Sequence, residues 1–451
     1  MEDSTAAATQ ALVAQAAERA GALARELSAW AVSGARTLGD VERQTLALVK
    51  EFGQQLLAGV CAVVAAGEPA RERPCPCGGT ARYIRHRPAQ VLTVLGAVSI
   101  TRAYYHCARC RGGHAPLDQR LGYRAGSTSA GLEEILALLG ATAGSFEEAV
   151  GLLDKLTLVR VCPNLARDAT ERLGQALQGA EQQAVAAAWE RGVLPPAGAA
   201  PPRLYLSMDG VLVQTSDGWR EYKLGAVYTT VTRPSRRHPG QDEIHAREFS
   251  FVGDVADAAT FGQLLWCEAA RRGVLDAGEV VVVADGAHWI WDLVAEHFPA
   301  ATQIVDWYHA SQYVWAVAHA VYGEGTPRAR RWAKRRLADL WAGRVEQVLK
   351  ACAAHRQRGQ AVEEALTYYT NHRHRMRYAE YRARGLQVGS GSIESGCKQV
   401  IAARLKQAGM RWSLDGARTV AAVRTWVKSG RWHEAMALRP PRRRTYQRQA
   451  A

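Results

Sequence analysis

Apolar residues recur at helical spacing over 4–31 and again over 38–66, both Ala/Leu/Val-rich and broken only around Gly34. That predicts two helices forming an antiparallel pair, a domain spanning 1–66. Gly67-Glu68-Pro69 closes it. The period then drops to two: Val91-Leu-Thr-Val94 and Ala97-Val-Ser-Ile100 flank Leu95-Gly96 and predict a β-hairpin inside a small domain at 67–124. From 125 to 192 the pattern is helical again. Ser145-Phe-Glu-Glu148 has capping-box spacing, and Cys162-Pro163-Asn164 interrupts the pattern before a further helix from about Leu165. A short helix, a turn and a helix suit a helix-turn-helix DNA reader or a plain helical spacer.

Leu194-Pro-Pro-Ala-Gly-Ala-Ala-Pro-Pro202 holds four prolines in nine residues, so 193–203 is predicted to be a linker. Beyond it the character changes. Apolar runs at 204–208, 222–230, 248–252, 280–284 and 302–305 read as strands, with helices predicted at 260–272 and near 290–297. Three early strands followed by alternating strand and helix predict a mixed α/β sheet. Residues 311–383 are helical and basic, and Gly389-Ser-Gly-Ser392 introduces a helix near Ile393-Glu394, with Ser392 as its expected N-cap. The domain is expected to cover 204–432 with a helical insertion at about 311–388, leaving a basic tail at 433–451.

At 451 residues, 48% apolar and 22% charged, the chain has ample material for packed cores, which excludes a disordered polypeptide. No uninterrupted apolar run approaches the ~18 residues of a membrane span. Glu2 and Asp3 stand where a secretory signal would be basic. A cytoplasmic, nucleoid-associated protein with no membrane partner is the expectation. The net charge of +14 is unevenly placed: residues 401–451 alone contribute +10, whereas 1–70 come to −3. Such asymmetry points to a polyanion, nucleic acid first. Arg328, Arg330, Arg331, Lys334, Arg335 and Arg336 form a run without acids, and Arg411, Arg442, Arg443 and Arg444 add further candidate DNA contacts. The competing reading of such clusters is a solvated basic face.

Four of the nine cysteines cluster as Cys75-Pro-Cys77 and Cys107-Ala-Arg-Cys110. The predicted hairpin lies between the pairs and would fold them together. Four thiolates in a tetrahedron describe one closed, structural Zn²⁺ site. Free thiols, or a ligand set that recruits His106 or His114, are the alternatives.

Asp209, Asp285 and Asp306 each follow directly on an apolar run, and strand C-termini are where α/β sheets place ligands. Carboxylates there can converge on a shared cation, with Glu394 joining from the late helix. Two aspartates and a glutamate suit two hard divalent ions, Mg²⁺ or Mn²⁺, which stabilise in-line phosphoryl displacement. Taken singly, an Asp-Gly after a strand is only a turn. Cys397, three residues beyond Glu394, reads as a buried apolar residue.

Leu206-Ser-Met-Asp209-Gly, Ala284-Asp285-Gly-Ala-His-Trp-Ile290, Asp306-Trp-Tyr-His309-Ala and Gly389-Ser-Gly-Ser-Ile-Glu394-Ser395 together resemble the DDE transposases of ISKra-type insertion sequences, bacterial enzymes of the Mutator-like group. Cys75-Pro-Cys-Gly-Gly79, Arg102-Ala-Tyr-Tyr-His-Cys107-Ala-Arg-Cys110, Met410-Arg-Trp412 and Gly416-Ala-Arg418 agree, so the resemblance runs from about 70 to 435. It implies an RNase H-like core interrupted by helices, with Asp209, Asp285 and Glu394 as the metal-holding triad. It also implies that Asp306-x-x-His309 is a supporting or phosphate-contacting pair; Asp306 nevertheless rivals Asp285 as second metal ligand, because it too follows a strand. The implied activity is DNA strand cleavage and strand transfer. Its partners would be an element's terminal inverted repeats and target DNA, bound by at least a homodimer. An RNase H-fold nuclease or resolvase, and a domesticated zinc-containing DNA-binding protein, are the other classes considered.

Overall fold

The computed structural model describes residues 2–66, 70–124, 126–235 and 242–440. The chain divides into two compact units between Thr170 and Glu171. The first opens with α1 (Glu2–Val32) and α2 (Leu38–Val64), where Thr37 caps α2 by accepting from Asp40 N–H while Asp40 accepts from Thr37 N–H. The two helices run antiparallel: Arg19 pairs with Glu51 at 2.9 Å, and Leu12 packs over Gly59. Next comes a small sheet of β1 (Glu72–Pro74), β2 (Thr80–Thr93), β3 (Gly96–Cys107) and β4 (Gly113–His114), with β5 (Ser127–Thr128) parallel to β2 and α3 (Pro116–Arg120) between β4 and β5. The β2–β3 hairpin turns at Val94-Leu95, and β2 runs back past its apolar alternation, with Arg82, Ile84, Arg85, His86 and Arg87 exposed. Cys61 of α2 packs with Val91, Val98, Ile100 and Leu117, joining helix to sheet.

α4 (Ala130–Thr142), α5 (Phe146–Thr157) and α6 (Pro163–Arg191) follow. Ser145 caps α5 as expected, but Glu148 reaches back to Gly144 N–H rather than to Ser145, so the reciprocal half of the box is displaced by one residue. The unit boundary falls inside α6 and not at the Pro-rich segment. The reason is packing: a Cβ on Gly174 would lie 2.2 Å from Thr419 O, and Trp426 donates to Glu181 at 2.8 Å, so the second half of α6 belongs to the second core. The 193–203 segment is itself pinned by Gly198 N–H to Arg271 O and Gly278 N–H to Pro201 O.

The second unit is built on β6 (Leu204–Thr215), β7 (Gly218–Pro234), β8 (Asp242–Asp254), β9 (Val280–Ala284) and β10 (Thr302–Val305), in the order β10-β9-β6-β7-β8. β10, β9 and β6 are parallel; β6, β7 and β8 form an antiparallel meander. The chain is thus mixed α/β, with two sheets among the described residues. The first strand does not end at Asp209, as its apolar run suggested; it continues to Thr215. Its parallel pairing with β9 stops at Leu206, and the remainder is a hairpin arm with β7, so the solid apolar run marks only the doubly covered half.

α7 (Ala258–Arg271) and α8 (His288–His297) cover the sheet. After β10 come α9 (Trp307–Tyr322), α10 (Pro327–Trp341), α11 (Val345–Ala353), α12 (Gln360–His372) and α13 (Tyr378–Ala383). Then follow α14 (Gly391–Gly396), a π-helical turn at Cys397–Ala402, α15 (Ala403–Leu405), α16 (Leu414–Lys428) and α17 (Trp432–Ala437). α14 begins two residues earlier than Ser392 would have placed it: Ser390 occupies the N-cap position and makes no side-chain cap. Among the described residues α2 alone has the length and apolar character to cross a membrane, and Lys50 and Glu51 sit near its middle.

Candidate functional site

Register brings the acids together. Leu206 and Val282 form the last β6–β9 pair, and three residues beyond it stand Asp209, within β6, and Asp285, one residue past the end of β9. Val305 pairs with Ala284, which sets Asp306 directly beside Asp285, and Asp306 N–H donates to Ala284 O at 2.7 Å. Glu394 arrives from α14, its Oε1 3.4 Å from Ser390 Oγ. Asp209 accepts from Gly210 N–H at 2.7 Å and Asp285 from Ala287 N–H at 2.9 Å. Burial raises the pKa of Asp209, and the neighbouring charge of Asp285 raises it further, against the opposing pull of Gly210 N–H. Among the described residues none of Asp209, Asp285 and Glu394 pairs with a Lys or Arg. Among the described residues neither Asp209 nor Asp285 belongs to a group of three ligand atoms within 4.8 Å of one another, but carboxylates near one sheet end without a Lys or Arg partner can take a hard cation between them.

Asp306 is different. It is fully buried, and both oxygens are taken: Oδ1 accepts Ser390 N–H, and Oδ2 accepts His309 N–H at 2.8 Å and faces His309 Nδ1 at 2.9 Å. It caps α9 and at the same time ties the Gly-Ser-Gly-Ser loop, hence Glu394, to the end of β10. Burial alone would raise its pKa, but these donors hold it below the ordinary value. The reverse holds for His309: the Asp306 bond raises its pKa against burial, and Asp285 and Glu394 raise it further. With Nδ1 held, Nε2 remains for a metal or a phosphate oxygen. Ligand atoms of Asp306, His309 and Glu394 lie within 4.8 Å of one another. The stability from the pair is fully present between the ordinary carboxylate range and His309's ordinary pKa of about 6.5, and fades as pH rises through the raised value. By NMR, His309 should titrate above 6.5 in the wild type; in Asp306→Asn it should fall, since burial is then opposed only by the more distant carboxylates. An unmoved titration in Asp306→Asn would remove Asp306 as the cause.

Two further groups join the site. Cys397, which reads in sequence as an apolar filler, has its Sγ donating to Asp209 Oδ2 at 3.6 Å, and burial with the neighbouring Asp209 charge pushes its thiol pKa up. It is therefore a polar neighbour of the acids; its i, i+3 spacing from Glu394 on one helix face was the available signal. The π turn after it widens the helix, and Arg424 donates to the carbonyls of Gln399 and Val400 there. On the other side α12 presents Tyr368 and His372 to Gly286: a Cβ there would lie 2.3 Å from Tyr368 Cε2 and 3.2 Å from His372 Nε2. Only glycine permits that approach, so the residue after Asp285 is fixed by the helical segment. Burial lowers His372 to about 4, with Arg375 adding to the effect, which keeps it neutral.

In the first unit, Cys75 and Cys110 sulfurs are 3.7 Å apart, as are those of Cys77 and Cys107, and all four lie within 4.8 Å of one another. Sulfurs about 2.3 Å from a central Zn²⁺ would be separated by roughly 3.8 Å. Gly79 and Gly112 permit the two turns to close, since a Cβ on either would sit 3.2 Å from Cys107 or Cys110 sulfur. The N–H of Cys110, outweighing burial, lowers Cys107 to about 7, and the Cys77 and Cys75 thiols lower it as well. His106 and His114 are not in the cluster.

Of the basic residues, Arg328, Arg330, Arg331, Lys334 and Arg335 are exposed on α10, and Arg411 is exposed beside Trp412. Arg336 is instead drawn into a 2.8 Å pair with buried Asp339, an i, i+3 partner that its place in an all-basic run concealed. Arg442, Arg443 and Arg444 lie outside the described residues.

None of the curated proteins matches the chain. Residues 80–439 match an uncharacterised protein family, UPF0236. That span takes in the β2–β3 hairpin with Cys107 and Cys110, the acids with His309, and α10, and the chain belongs to the UPF0236 family.

Proposed function

We propose that the chain is a DNA transposase of the kind its sequence resembles, the ISKra-type DDE enzymes. Asp209, Asp285 and Glu394 would hold divalent Mg²⁺ or Mn²⁺, and the four cysteines one structural Zn²⁺. The observation that carries the reading is the group of Asp306, His309 and Glu394 ligand atoms within 4.8 Å of one another at the end of the sheet where Asp209 and Asp285 also stand, near enough for Asp285 to act on the charge of both Asp209 and His309. The mixed five-stranded sheet supports an RNase H-like core, and the 3.7 Å sulfur pairs support a zinc ribbon.

Bound divalent ions supply positive charge to the phosphoryl group under attack. The protein's own part is positioning: Asp285 is held by Ala287 N–H and by Gly286 under α12, and Asp306 fixes both His309 and the entry to Glu394. Because both Asp306 oxygens are committed to protein donors, Asp285 is the better second ligand and Asp306 its neighbour. His309 Nε2 would face a scissile phosphate. The exposed face of α10 supplies phosphate contacts, and the cysteine hairpin with α4 and α5 would read the element's ends.

The test is strand cleavage and joining of oligonucleotides that carry the terminal sequences flanking the gene, with Mg²⁺ or Mn²⁺ and with chelator. Metal-dependent joining to a second duplex supports transposition. Cleavage without joining, and no inverted repeats at the gene's flanks, would favour an RNase H-fold nuclease or resolvase. Binding without metal-dependent cleavage would favour a DNA-binding regulator. Alanine at Arg328, Arg331 and Arg335 should weaken binding to unrelated duplexes alike and lower the salt slope by roughly one for each phosphate left without its arginine. A change in sequence preference with the slope unchanged would place α10 elsewhere.

A further inference from the structure

We infer that the α1–α2 hairpin is a dimerisation face whose partner is a second copy of this chain. The seam between the helices is lined by Leu12, Leu23, Leu48 and Gly59. At 100° per residue, Val13, Ala17, Ala20 and Ala24 fall in one stripe on α1, about a quarter turn beyond the seam. Leu46, Val49, Leu56 and Val60 fall in a stripe displaced the same way on α2. Because the helices run antiparallel, equal displacement in the direction of increasing residue number puts both stripes on one side of the hairpin. That side is open: Val13 is 63% exposed, Leu46 42%, Val49 56% and Val60 44%, and the three alanines are exposed. Leu95, from the β2–β3 turn, packs against Gly53 and borders it.

Three features choose the occupant. The first is charge: neither stripe carries a charged residue from Val13 to Ala24 or from Leu46 to Val60, in a chain of net charge +14. That disfavours nucleic acid on this face. The second is area. A helix of 27 residues is about 40 Å long, and two helices side by side present a face roughly 20 Å wide. About 800 Å² results for the whole face, roughly half of it the uncharged centre from Leu46 to Val60 (about 22 Å long) and the rest a polar rim, which together match the share each partner contributes to a stable protein–protein interface.

The third is self-complementarity. Leu12 over Gly59 and Arg19 beside Glu51 fix the register, so Leu46 stands level with Ala24, Val49 between Ala20 and Ala24, and Leu56 between Val13 and Ala17. A two-fold axis along the hairpin lays α2 of one copy on α1 of the other without shifting these heights. The large side chains of one stripe then meet the small ones of its mate, twice over, giving a four-helix bundle.

Light scattering of the full chain across a concentration series, without DNA, tests this. The wild type should be a dimer, and the double variant Val49→Glu/Leu56→Glu a monomer, with the dimer's dissociation constant raised at least 100-fold. Ala20→Arg, which adds a good helix former on the exposed side of α1, should do the same while leaving helical content unchanged by circular dichroism. A monomeric wild type, or dimers indifferent to both variants, would overturn the inference. So would co-sedimentation of the wild type with phosphatidylcholine vesicles that the variants abolish, which would assign the face to a membrane. None of these readouts depends on the acid site.

Discussion

Asp209→Asn, Asp285→Asn and Glu394→Gln are each expected to reduce metal-dependent strand cleavage by about a thousandfold, with DNA binding retained. Each change keeps size and hydrogen-bonding capacity and removes one anionic ligand. Several kcal/mol of charge stabilisation is at stake in such a site, and each ~1.4 kcal/mol is a factor of ten. Asp209 adds a second, opposite signature. Its pKa is raised by burial and by Asp285, so neutralising it relieves repulsion in the metal-free protein. Asp209→Asn should therefore be at least as heat-stable as the wild type without metal, yet gain less from added Mn²⁺ in a thermal melt. Asp306→Asn separates the roles of the two aspartates. With both oxygens bonded inside the protein, its replacement should cost ~10–100-fold, as for groups that orient ligands, together with stability. Full activity in any of the three amide variants, or a larger drop at Asp306 than at Asp285, would refute the assignment.

The second large effect concerns the sulfurs. Purified chain should contain about one zinc, and Cys107→Ser should release it and unfold the 70–124 region, because binding free energy of order 10 kcal/mol is also folding free energy in small metal sites. Cys107 is the informative position: it is buried, it pairs in register with Ala81 across the hairpin, and it packs in the Cys75, Ala81 and Tyr105 cluster. The packing of α2 on Val91, Val98 and Ile100 lies at the other end of the hairpin and should resist longer. Chelation should reproduce the variant's fall in amide protection over 72–85 and 102–114 while sparing β6–β10. Zinc-free protein with full protection there would sink the site.

Much of this molecule is written locally. β9 and β10 coincide with their predicted runs because both are short and parallel, with Val281–Ala284 and Ile304–Val305 buried without alternation. The helices at 2–32 and 38–64 follow from helical periodicity broken only around Gly34, and the Cys-x-Cys and Cys-x-x-Cys spacings place two sulfurs near each other whatever the rest of the chain does. The hairpin that brings the two pairs together is equally local, since a two-residue turn sets its register.

Other features exist only through packing between distant segments. That Asp209 lies mid-strand follows from β7, which extends β6 beyond its apolar half by backbone pairing available to any side chain. That Asp306 is fully buried and accepts from Ser390 N–H, 84 residues away, is visible only in the fold. Arg336 looked like its basic neighbours until buried Asp339 claimed it, and Gly286 looked like a turn residue until Tyr368 and His372 closed over it. Periodicity, punctuation and spacing determined which segments form strands and helices and which residues can ligate, because those depend on near neighbours along the chain. Which donors each carboxylate accepts from and how deeply it is buried was decided only by the tertiary structure, because hydrogen bonding and desolvation are properties of what packs around a group.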